Sequence, residues 1–269
     1  MDLFIKFLLL FGTPLIVYLI VKYVRKNFVQ QQLKKLAKEP FPDQYEKMLQ
    51  KFAPYKFLND EEKKRFKTKI LYFLQNKIFN AVGDLVITDE MKLLVAAEAC
   101  LMITNIDGDV YPGLKNIYLM EDVFIPKDNP VNAATGLPTH TARLGEAWKR
   151  GPIILSWNSI AQGSSVIFHE FSHQLDQQDG SFDGTPTLGR NGNYDKWAQV
   201  MGKEFINLRK RVMAHKGSDI DSYGATNEAE FFAVVTEYFF TRPRILQKNH
   251  PGIYELYKDY FQLDPSSWS

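Results

Sequence analysis

Cysteine is almost absent from this chain, since one thiol, Cys100, occurs in 269 residues. A single cysteine excludes an internal disulfide framework of the kind that stabilises small secreted domains. Cys100 lies in an apolar stretch for which we predict a helix over residues 90–104. We therefore interpret it as a core residue and not as a nucleophile.

An excess of charge of one sign is also missing. The chain carries 33 Lys and Arg against 31 Asp and Glu, which gives a formal net charge of +2. This balance gives no reason to expect nucleic-acid binding, which requires a pronounced basic surface. With 45% hydrophobic residues, the composition is that of a globular protein with a sizeable core.

The most informative pattern is the HExxH sequence from His169 to His173. Histidines four residues apart on a helix lie one above the other, so both imidazoles can reach one metal ion. Glu170 lies about 100° round the helix, where it can contact a water held by the metal without ligating the metal. Winding residues 164–177 as a helix gives a core face with Ile167, Phe168, Phe171 and Leu175, and an opposite face with His169, His173 and Asp176.

A catalytic zinc ion normally has three protein ligands and one open position, so a third ligand is required. Metzincin spacing is excluded, because Asp176 and Asp179 stand where that pattern has glycine and histidine. The remaining histidines have no recognisable ligand spacing; they are His140, His215 and His250. The glutamates that follow the motif remain as candidates: Glu204, Glu228, Glu230, Glu237 and Glu255.

Glu230 has the most informative setting among these candidates. It lies in the first turn of a predicted apolar helix, after a glycine-containing loop over residues 222–227. The predicted core positions of this helix are Phe231, Val234, Val235, Tyr238 and Phe239. Asn227 precedes Glu230 by three residues, so a capping-box role explains the spacing of Glu230 as well as metal binding does.

The two motifs together resemble the Mlc titration factor A family of bacterial zinc metallopeptidases. The matching stretches are HEFSHQLD at residues 169–176 and SYGATNEAEFFAVVTEYFF at residues 222–240. Both are also similar to segments of the catalytic domain of anthrax lethal factor. The similarity to the titration factors extends from about residue 50 to the C-terminus and includes residues 148–157.

This resemblance implies a peptidase of gluzincin type that holds one zinc ion per chain. It implies His169, His173 and Glu230 as the zinc ligands, Glu170 as the general base and Tyr223 as the phenol that helps to stabilise the oxyanion. The implied substrate is a peptide or protein. A transcriptional regulator is a further partner that the family resemblance suggests.

Two more carboxylates are candidates for orienting the zinc ligands, because a metal-bound histidine usually donates its second ring N–H to a carboxylate or carbonyl. Asp176 lies on the histidine face of its helix, and a solvated surface carboxylate is the alternative interpretation. Glu237 lies seven residues after Glu230 on the same stripe, with solvent exposure again as the alternative.

The N-terminal residues 3–21 form a nearly continuous apolar segment, interrupted by Lys6, Gly12 and Pro14. The segment is long enough to span a bilayer and no small-residue cleavage site follows it, so we predict an uncleaved transmembrane helix. Basic residues are concentrated after it: Lys22, Arg25, Lys26, Lys34, Lys35 and Lys38. This asymmetry predicts a single-pass protein of the bacterial inner membrane whose catalytic domain faces the cytoplasm.

The predicted organisation has three parts: an anchor with its basic flank over residues 1–28, a linker over 29–42 and a peptidase domain over 43–269. Residues 43–145 are mainly helical in pattern, with a strand at 116–125, and residues 146–269 contain the catalytic motifs. We expect an α+β fold that is predominantly helical and zincin-like, with a small β-sheet beside the active-site helix.

Two functions of different classes agree with these observations. The first is a membrane-anchored zinc peptidase that hydrolyses peptide bonds with a metal-activated water. The second is a regulator-binding, or titration, protein in which proteolysis is secondary. A structural zinc site is a third interpretation, but such a site normally has a fourth protein ligand and the sequence offers none.

Overall fold

The computed structural model describes residues 13–122, 152–189 and 192–268. Helices predominate, and three short strands form one sheet: β1 (Ile78–Val82), β2 (Asn116–Met120) and β3 (Ile153–Ser156). The helices in chain order are α1 (Thr13–Leu36), α2 (Asp43–Leu49), α3 (Asp60–Asn76), α4 (Asp89–Met102), α5 (Trp157–Ala161), α6 (Val166–Asp176), α7 (Tyr194–Met213), α8 (Glu228–Thr241), α9 (Pro243–Asn249) and α10 (Pro251–Phe261). The prediction of a mainly helical protein with a small sheet is thereby confirmed.

The sheet has the order β1-β2-β3, and both pairings are parallel. Parallel neighbours require a crossover connection, which α4 supplies between β1 and β2. The sequence analysis missed β1, which lies in a stretch interpreted as mainly helical. β1 lacks the alternation of buried and exposed residues that indicates a strand, because none of its five residues is fully buried. In β2, Ile117 and Leu119 alternate with less buried neighbours, as predicted.

Helix α4 is buried on most of its surface and lies between α3 and the helix that carries the HExxH motif, α6. Its N-terminus is capped by Thr88, whose side chain accepts the Met91 N–H. Cys100 is completely buried on α4, which confirms its assignment to the core.

The loop between α4 and β2 packs against α6. The Tyr111 ring packs edge-on against Phe171 of α6 with 4.8 Å between ring centroids, and its hydroxyl donates to the Ala99 carbonyl at 2.6 Å. Lys77, at the end of α3, fixes this loop by donating to the carbonyls of Tyr111 and Leu114 at 2.7 and 2.8 Å. Burial lowers the pKa of Lys77 to about 8. These contacts fix the position of α6 on the side that faces the loop.

The N-terminal helix α1 continues without a break from Thr13 to Leu36, across the predicted boundary at residue 28. Val29 and Leu36 are buried, and Arg25 pairs with Asp109 at 3.1 Å, so the second half of α1 packs on the rest of the protein. The predicted division of the chain at residues 28 and 42 stays a prediction. Residues 29–36 belong to α1, and Val29 and Leu36 pack on the domain.

No transmembrane helix is found among residues 13–122, 152–189 and 192–268, because none of the helices there is both long and apolar enough. Helix α1 contains only residues 13–21 of the predicted apolar run before Lys22, Arg25 and Lys26 introduce charge. The first part of the predicted anchor, residues 3–12, lies outside the described residues.

Glu98 on α4 is partly buried, and its buried Oε2 atom has no hydrogen-bond partner in the described part of the chain. Burial raises the pKa of Glu98 from 4.5 to about 8. The folded protein therefore keeps a proton on Glu98 that the unfolded chain loses above about pH 4.5, so this group lowers stability progressively as the pH rises towards 8. We expect Glu98→Gln to remove this loss.

The melting temperature of Glu98→Gln is expected to exceed that of the wild type by on the order of 5 °C at pH 8 and to match it closely at pH 5. Thermal unfolding followed by circular dichroism at both pH values measures the difference. Glu90→Gln, at an exposed position on the same helix, is the control and should change neither value. An equal difference at both pH values would show that ionisation of Glu98 is not the cause.

Candidate metal centre

Helices α6 and α8 pack directly against each other and bring the two sequence motifs together. The predicted core face of α6 is confirmed, since Ile167, Phe168, Phe171 and Leu175 are all buried. Phe168 stacks on Phe240 of α8 with 4.7 Å between ring centroids. The histidine face is buried as well, because it faces α8 and the loops beside it. The HExxH helix therefore holds its histidines inside the protein.

Three side chains converge between these helices. The Nε2 atoms of His169 and His173 lie 3.3 Å apart, and the Glu230 Oε2 lies 3.0 Å from the first and 3.4 Å from the second. All three residues are buried, and each offers one ligand atom within 4.8 Å of the others. In the described part of the chain this is the one group of His, Cys, Asp and Glu residues with such an arrangement.

These distances suit a tetrahedral metal ion. Two ligand atoms bound about 2.0–2.1 Å from a tetrahedral zinc ion lie about 3.3–3.4 Å from each other, close to the three distances observed. Two imidazole nitrogens and one carboxylate oxygen form a donor set that suits zinc, whereas calcium and magnesium prefer oxygen donors alone. The residues present therefore fit a zinc ion with one position left open.

Glu230 also satisfies the alternative interpretation of its spacing. Asn227 caps α8, and its side chain accepts the Glu230 N–H at 2.9 Å. The backbone of Glu230 thus belongs to the helix cap, while its carboxylate lies beside the two histidines. Burial raises the pKa of Glu230, but hydrogen bonds from His169 and His173 outweigh it and hold that pKa well below its usual range.

His169 is held from its other side by Glu237, one of the two carboxylates considered for this role. The Glu237 Oε1 lies 2.7 Å from the His169 Nδ1, and the Ser165 hydroxyl donates to the other carboxylate oxygen. Burial lowers the pKa of His169, but the hydrogen bonds to Glu230 and Glu237 outweigh it and raise the pKa to about 10. A metal ion bound at Nε2 would therefore compete with a proton for this nitrogen.

Asp176, the other carboxylate, has different contacts from those predicted. It is completely buried, so the interpretation as a surface carboxylate is wrong, and its Oδ2 accepts the Gly184 N–H at 3.0 Å. Burial raises the pKa of Asp176 to about 6. Neither its Oδ1 nor the His173 Nδ1 has a hydrogen-bond partner within the described residues. Asp176 fixes the loop after α6 and makes no hydrogen bond to a ligand imidazole.

Glu170 follows His169 directly on α6, and its side chain is partly buried. Burial raises the pKa of Glu170, although His169 and His173 oppose this increase. Tyr223 lies in a 3-10 turn, Ser222–Ala225, that precedes α8, and its ring centroid is 5.9 Å from that of His169. The turn is fixed by the Asp221 side chain, which accepts the Tyr223 N–H at 2.8 Å. Both residues therefore adjoin the three candidate ligands.

Comparison with known proteins identifies the family of the chain. A family model for the glucose-regulated metallo-peptidases M90 matches residues 26–262, a range that contains both motifs. The chain belongs to this family. An uncharacterised protein of Synechocystis sp. is 37% identical over 244 residues, which is 86% of this chain and 88% of that protein.

Other relatives have a functional name, and two of them illustrate the similarity. Mlc titration factor A of Yersinia pestis (strain Pestoides F) is 26% identical over 217 residues, covering 77% of this chain and 80% of its own. Mlc titration factor A of Yersinia pseudotuberculosis (strain YPIII) has the same identity and coverage. The resemblance inferred from the two motifs is thus confirmed, and the chain is a member of a metallopeptidase family.

The sequence analysis missed two residues beside the candidate metal centre. One is Ser165, at the start of α6, for which the sequence predicted no contact and whose hydroxyl donates to Glu237. Phe182 lies in the loop after α6, with its ring centroid 5.0 Å from that of His173. No periodic pattern marks either residue, because both contacts depend on the path of the chain beyond the helices.

Proposed function

We propose that this protein is a zinc-dependent peptidase of gluzincin type with a zincin-like fold, which hydrolyses peptide bonds. The observation that carries the proposal is the triangle of buried ligand atoms from His169, His173 and Glu230, with sides of 3.0, 3.3 and 3.4 Å. Membership of the M90 family supports peptide as the substrate. The described part of the chain contains one such triangle, and we expect one zinc ion per chain.

A zinc ion held by His169, His173 and Glu230 would supply Lewis acidity, which would lower the pKa of a water molecule towards 7 and polarise the scissile carbonyl. Glu170 accepts the proton from the attacking water and then passes it to the departing amine. The raised pKa makes Glu170 a stronger base for the first transfer than an ordinary carboxylate, and the protonated group remains acidic enough to protonate the departing amine. The Tyr223 hydroxyl donates to the oxygen on which negative charge develops.

Glu237 positions the first ligand in this scheme. By accepting the Nδ1 proton of His169 it selects the tautomer whose Nε2 lone pair is free for the metal. Ser165 holds Glu237 in turn, so the orientation of His169 depends on a chain of two hydrogen bonds.

Metal analysis combined with a peptide-library digest tests the proposal. The purified protein is expected to hold one zinc ion per chain, to cleave library peptides near neutral pH and to lose this activity on chelation. Adding zinc back should restore cleavage. Zinc-loaded protein that cleaves no peptide of the library would contradict the peptidase function.

Replacing Glu237 is expected to weaken zinc binding without removing a ligand. Glu237→Gln keeps the size of the side chain but replaces the charged acceptor, and we expect zinc affinity to fall about 10- to 100-fold. Competition with a chromophoric chelator measures the change. Glu228→Gln, at an exposed position of the same helix, is the matched control. Unchanged affinity in Glu237→Gln would show that the contact with His169 does not orient a ligand.

We also propose that the N-terminal residues anchor the enzyme to the inner membrane with the catalytic domain in the cytoplasm. The first half of α1 supports this, because its apolar side chains are exposed: Ile16, Val17, Leu19, Ile20, Val21, Tyr23 and Val24. Residues 3–12 extend the same apolar run in the sequence, and the basic residues follow it. Such a surface is unfavourable in water.

Cell fractionation tests the anchor. The full chain is expected in the membrane fraction, resistant to a high-salt wash and released by detergent, whereas a chain without residues 1–24 should remain in the supernatant. Recovery of the full chain in the supernatant would contradict the anchor. Protection of the catalytic domain from protease added outside intact spheroplasts tests its orientation.

Capture of a transcriptional regulator is a second candidate function, which the name of the Yersinia relatives favours. In this case proteolysis is secondary, and binding to the regulator should not require the general base. A Glu170→Gln protein that retains the full biological effect of the wild type would favour capture, and loss of the effect would exclude it.

A further inference from the structure

An exposed aromatic ring lies beside the candidate metal centre. Phe182, in the loop between α6 and α7, places its ring centroid 5.0 Å from the His173 imidazole at an interplanar angle of 49°. About 37% of Phe182 remains exposed. Phe182 is thus partly exposed to solvent although it lies beside a candidate metal ligand. Because exposing apolar surface has a free-energy cost, this position suggests a function for the ring.

The loop that carries Phe182 is fixed on three sides at Gly184. The Gly184 N–H donates to Asp176 of α6 at 3.0 Å, and its carbonyl accepts the Trp197 Nε1–H of α7 at 3.2 Å. Its φ of +76° favours glycine, and a Cβ at this position would lie 2.3 Å from the Glu228 carbonyl oxygen at the start of α8. Gly184 is therefore held against three helices.

The residues before Phe182 are fixed as well. The Asp179 carboxylate accepts both the N–H and the hydroxyl of Ser181, at 2.8 and 2.6 Å. With Asp179 on one side and Gly184 on the other, the short segment between them presents Phe182 in a defined position. The buried carboxylate of Asp176 thus serves to place an aromatic ring next to a metal ligand.

We propose that Phe182 forms the apolar wall of a substrate subsite, so that the peptidase prefers peptides with a large apolar side chain next to the scissile bond. This inference rests on the proposed peptidase function and deepens it. One side of the ring contacts His173, and its remaining surface is available to a side chain that adjoins the reacting carbonyl. Burying apolar surface on both partners favours such a side chain over a small one.

Charge at the site argues against acidic side chains at the same position. The Glu230 carboxylate lies 3.4 Å from the His173 ring that Phe182 contacts, and Asp183 follows Phe182 directly in the chain. A bound zinc ion offsets part of this charge, but Asp183 is not among its candidate ligands. An acidic substrate side chain would therefore meet like charge.

Two small zinc-binding probes test the subsite without requiring hydrolysis. Leucine hydroxamate and alanine hydroxamate share the same metal-binding group and differ only in the size of the side chain. We expect zinc-loaded wild type to bind the leucine probe about tenfold more tightly, and Phe182→Ala to reduce this ratio to about twofold. Phe182→Leu, which keeps an apolar side chain, should retain most of the preference.

The same comparison applies to the peptide that the wild type cleaves fastest, with Leu or Ala next to the scissile bond. The ratio of the two kcat/KM values is expected to fall about tenfold in Phe182→Ala. Phe57→Ala, which removes an exposed ring that stacks on Trp268, is the matched control. Zinc content is measured for every variant.

An unchanged ratio of leucine- to alanine-probe affinity in Phe182→Ala would overturn the subsite. An equal loss of affinity for both probes, together with reduced zinc content, would also overturn it and would show that the ring supports the metal site. These outcomes differ from failure of the proposed function. If zinc-loaded wild type cleaves no peptide, the peptidase function fails, while the hydroxamate ratio still decides whether Phe182 lines an apolar pocket.

Discussion

Glu170→Gln is expected to abolish peptide hydrolysis while zinc remains bound. The amide has nearly the same size as the carboxylate, but it cannot accept a proton from the attacking water or return one to the departing amine. General acid–base catalysis contributes about 10²- to 10⁴-fold, and one group performs both transfers here, so we expect kcat to fall by about three orders of magnitude or more. The three candidate ligands are unchanged, so zinc content should stay at one per chain.

Zinc analysis and the rate of cleavage of one library peptide, measured on the same preparation, check this prediction. The variant also controls for contaminating proteases, because it differs from the wild type in one side-chain atom. Glu228→Gln makes the same chemical change at an exposed position and should keep full activity. Undiminished cleavage by zinc-loaded Glu170→Gln would exclude Glu170 as the general base.

The parts of the site that sequence can predict are those set by local helix geometry. Histidines at positions i and i+4 lie on one face of any helix, so the pairing of His169 with His173 required no knowledge of the fold. The burial of Phe171 and Leu175 followed from the same periodicity. Glu230 was different, because helix capping by Asn227 accounted for its spacing equally well. Only packing of α8 on α6 brings its carboxylate to the histidines.

The carboxylate that orients His169 shows why the remaining contacts were harder to predict. Asp176 is on the same helix face as the histidines, yet its carboxylate accepts a hydrogen bond from the backbone N–H of Gly184, in the loop after the helix. Glu237 is 68 residues from His169 in sequence, and its position depends on how two helices cross. Tertiary contacts of this kind leave no periodic signal in either segment.

Strand β1 was missed for a related reason. Its residues from Ile78 to Val82 are partly or fully exposed, so neither alternation nor a continuous buried run marks them as a strand. Parallel pairing with β2 stabilises the segment, and this pairing is non-local. The loop residue Phe182 likewise has no sequence pattern, because the ring is placed by Gly184, whose contacts come from three separate helices.

Removing the Glu230 carboxylate is expected to release the zinc ion. Glu230→Ala deletes one of three candidate ligand atoms and the only one with negative charge. The loss of zinc affinity should therefore exceed the 10- to 100-fold loss expected when a residue that only orients a ligand is replaced. We expect zinc affinity to fall on the order of a thousandfold or more, with hydrolysis lost in parallel. Glu230→Gln keeps the shape and tests the charge alone.

The capping interpretation of Glu230 makes a different prediction for the same variant. If the side chain served only the start of α8, Glu230→Ala would lower stability by about 0.5–2 kcal/mol and keep its zinc. Chelator competition distinguishes the two, and so does the rise in melting temperature on adding zinc, which should be large in the wild type and absent in the variant. Glu228→Ala, exposed in the same first turn, controls for the charge at the helix start. A Glu230→Ala protein that binds zinc as tightly as the wild type would remove Glu230 from the ligand set.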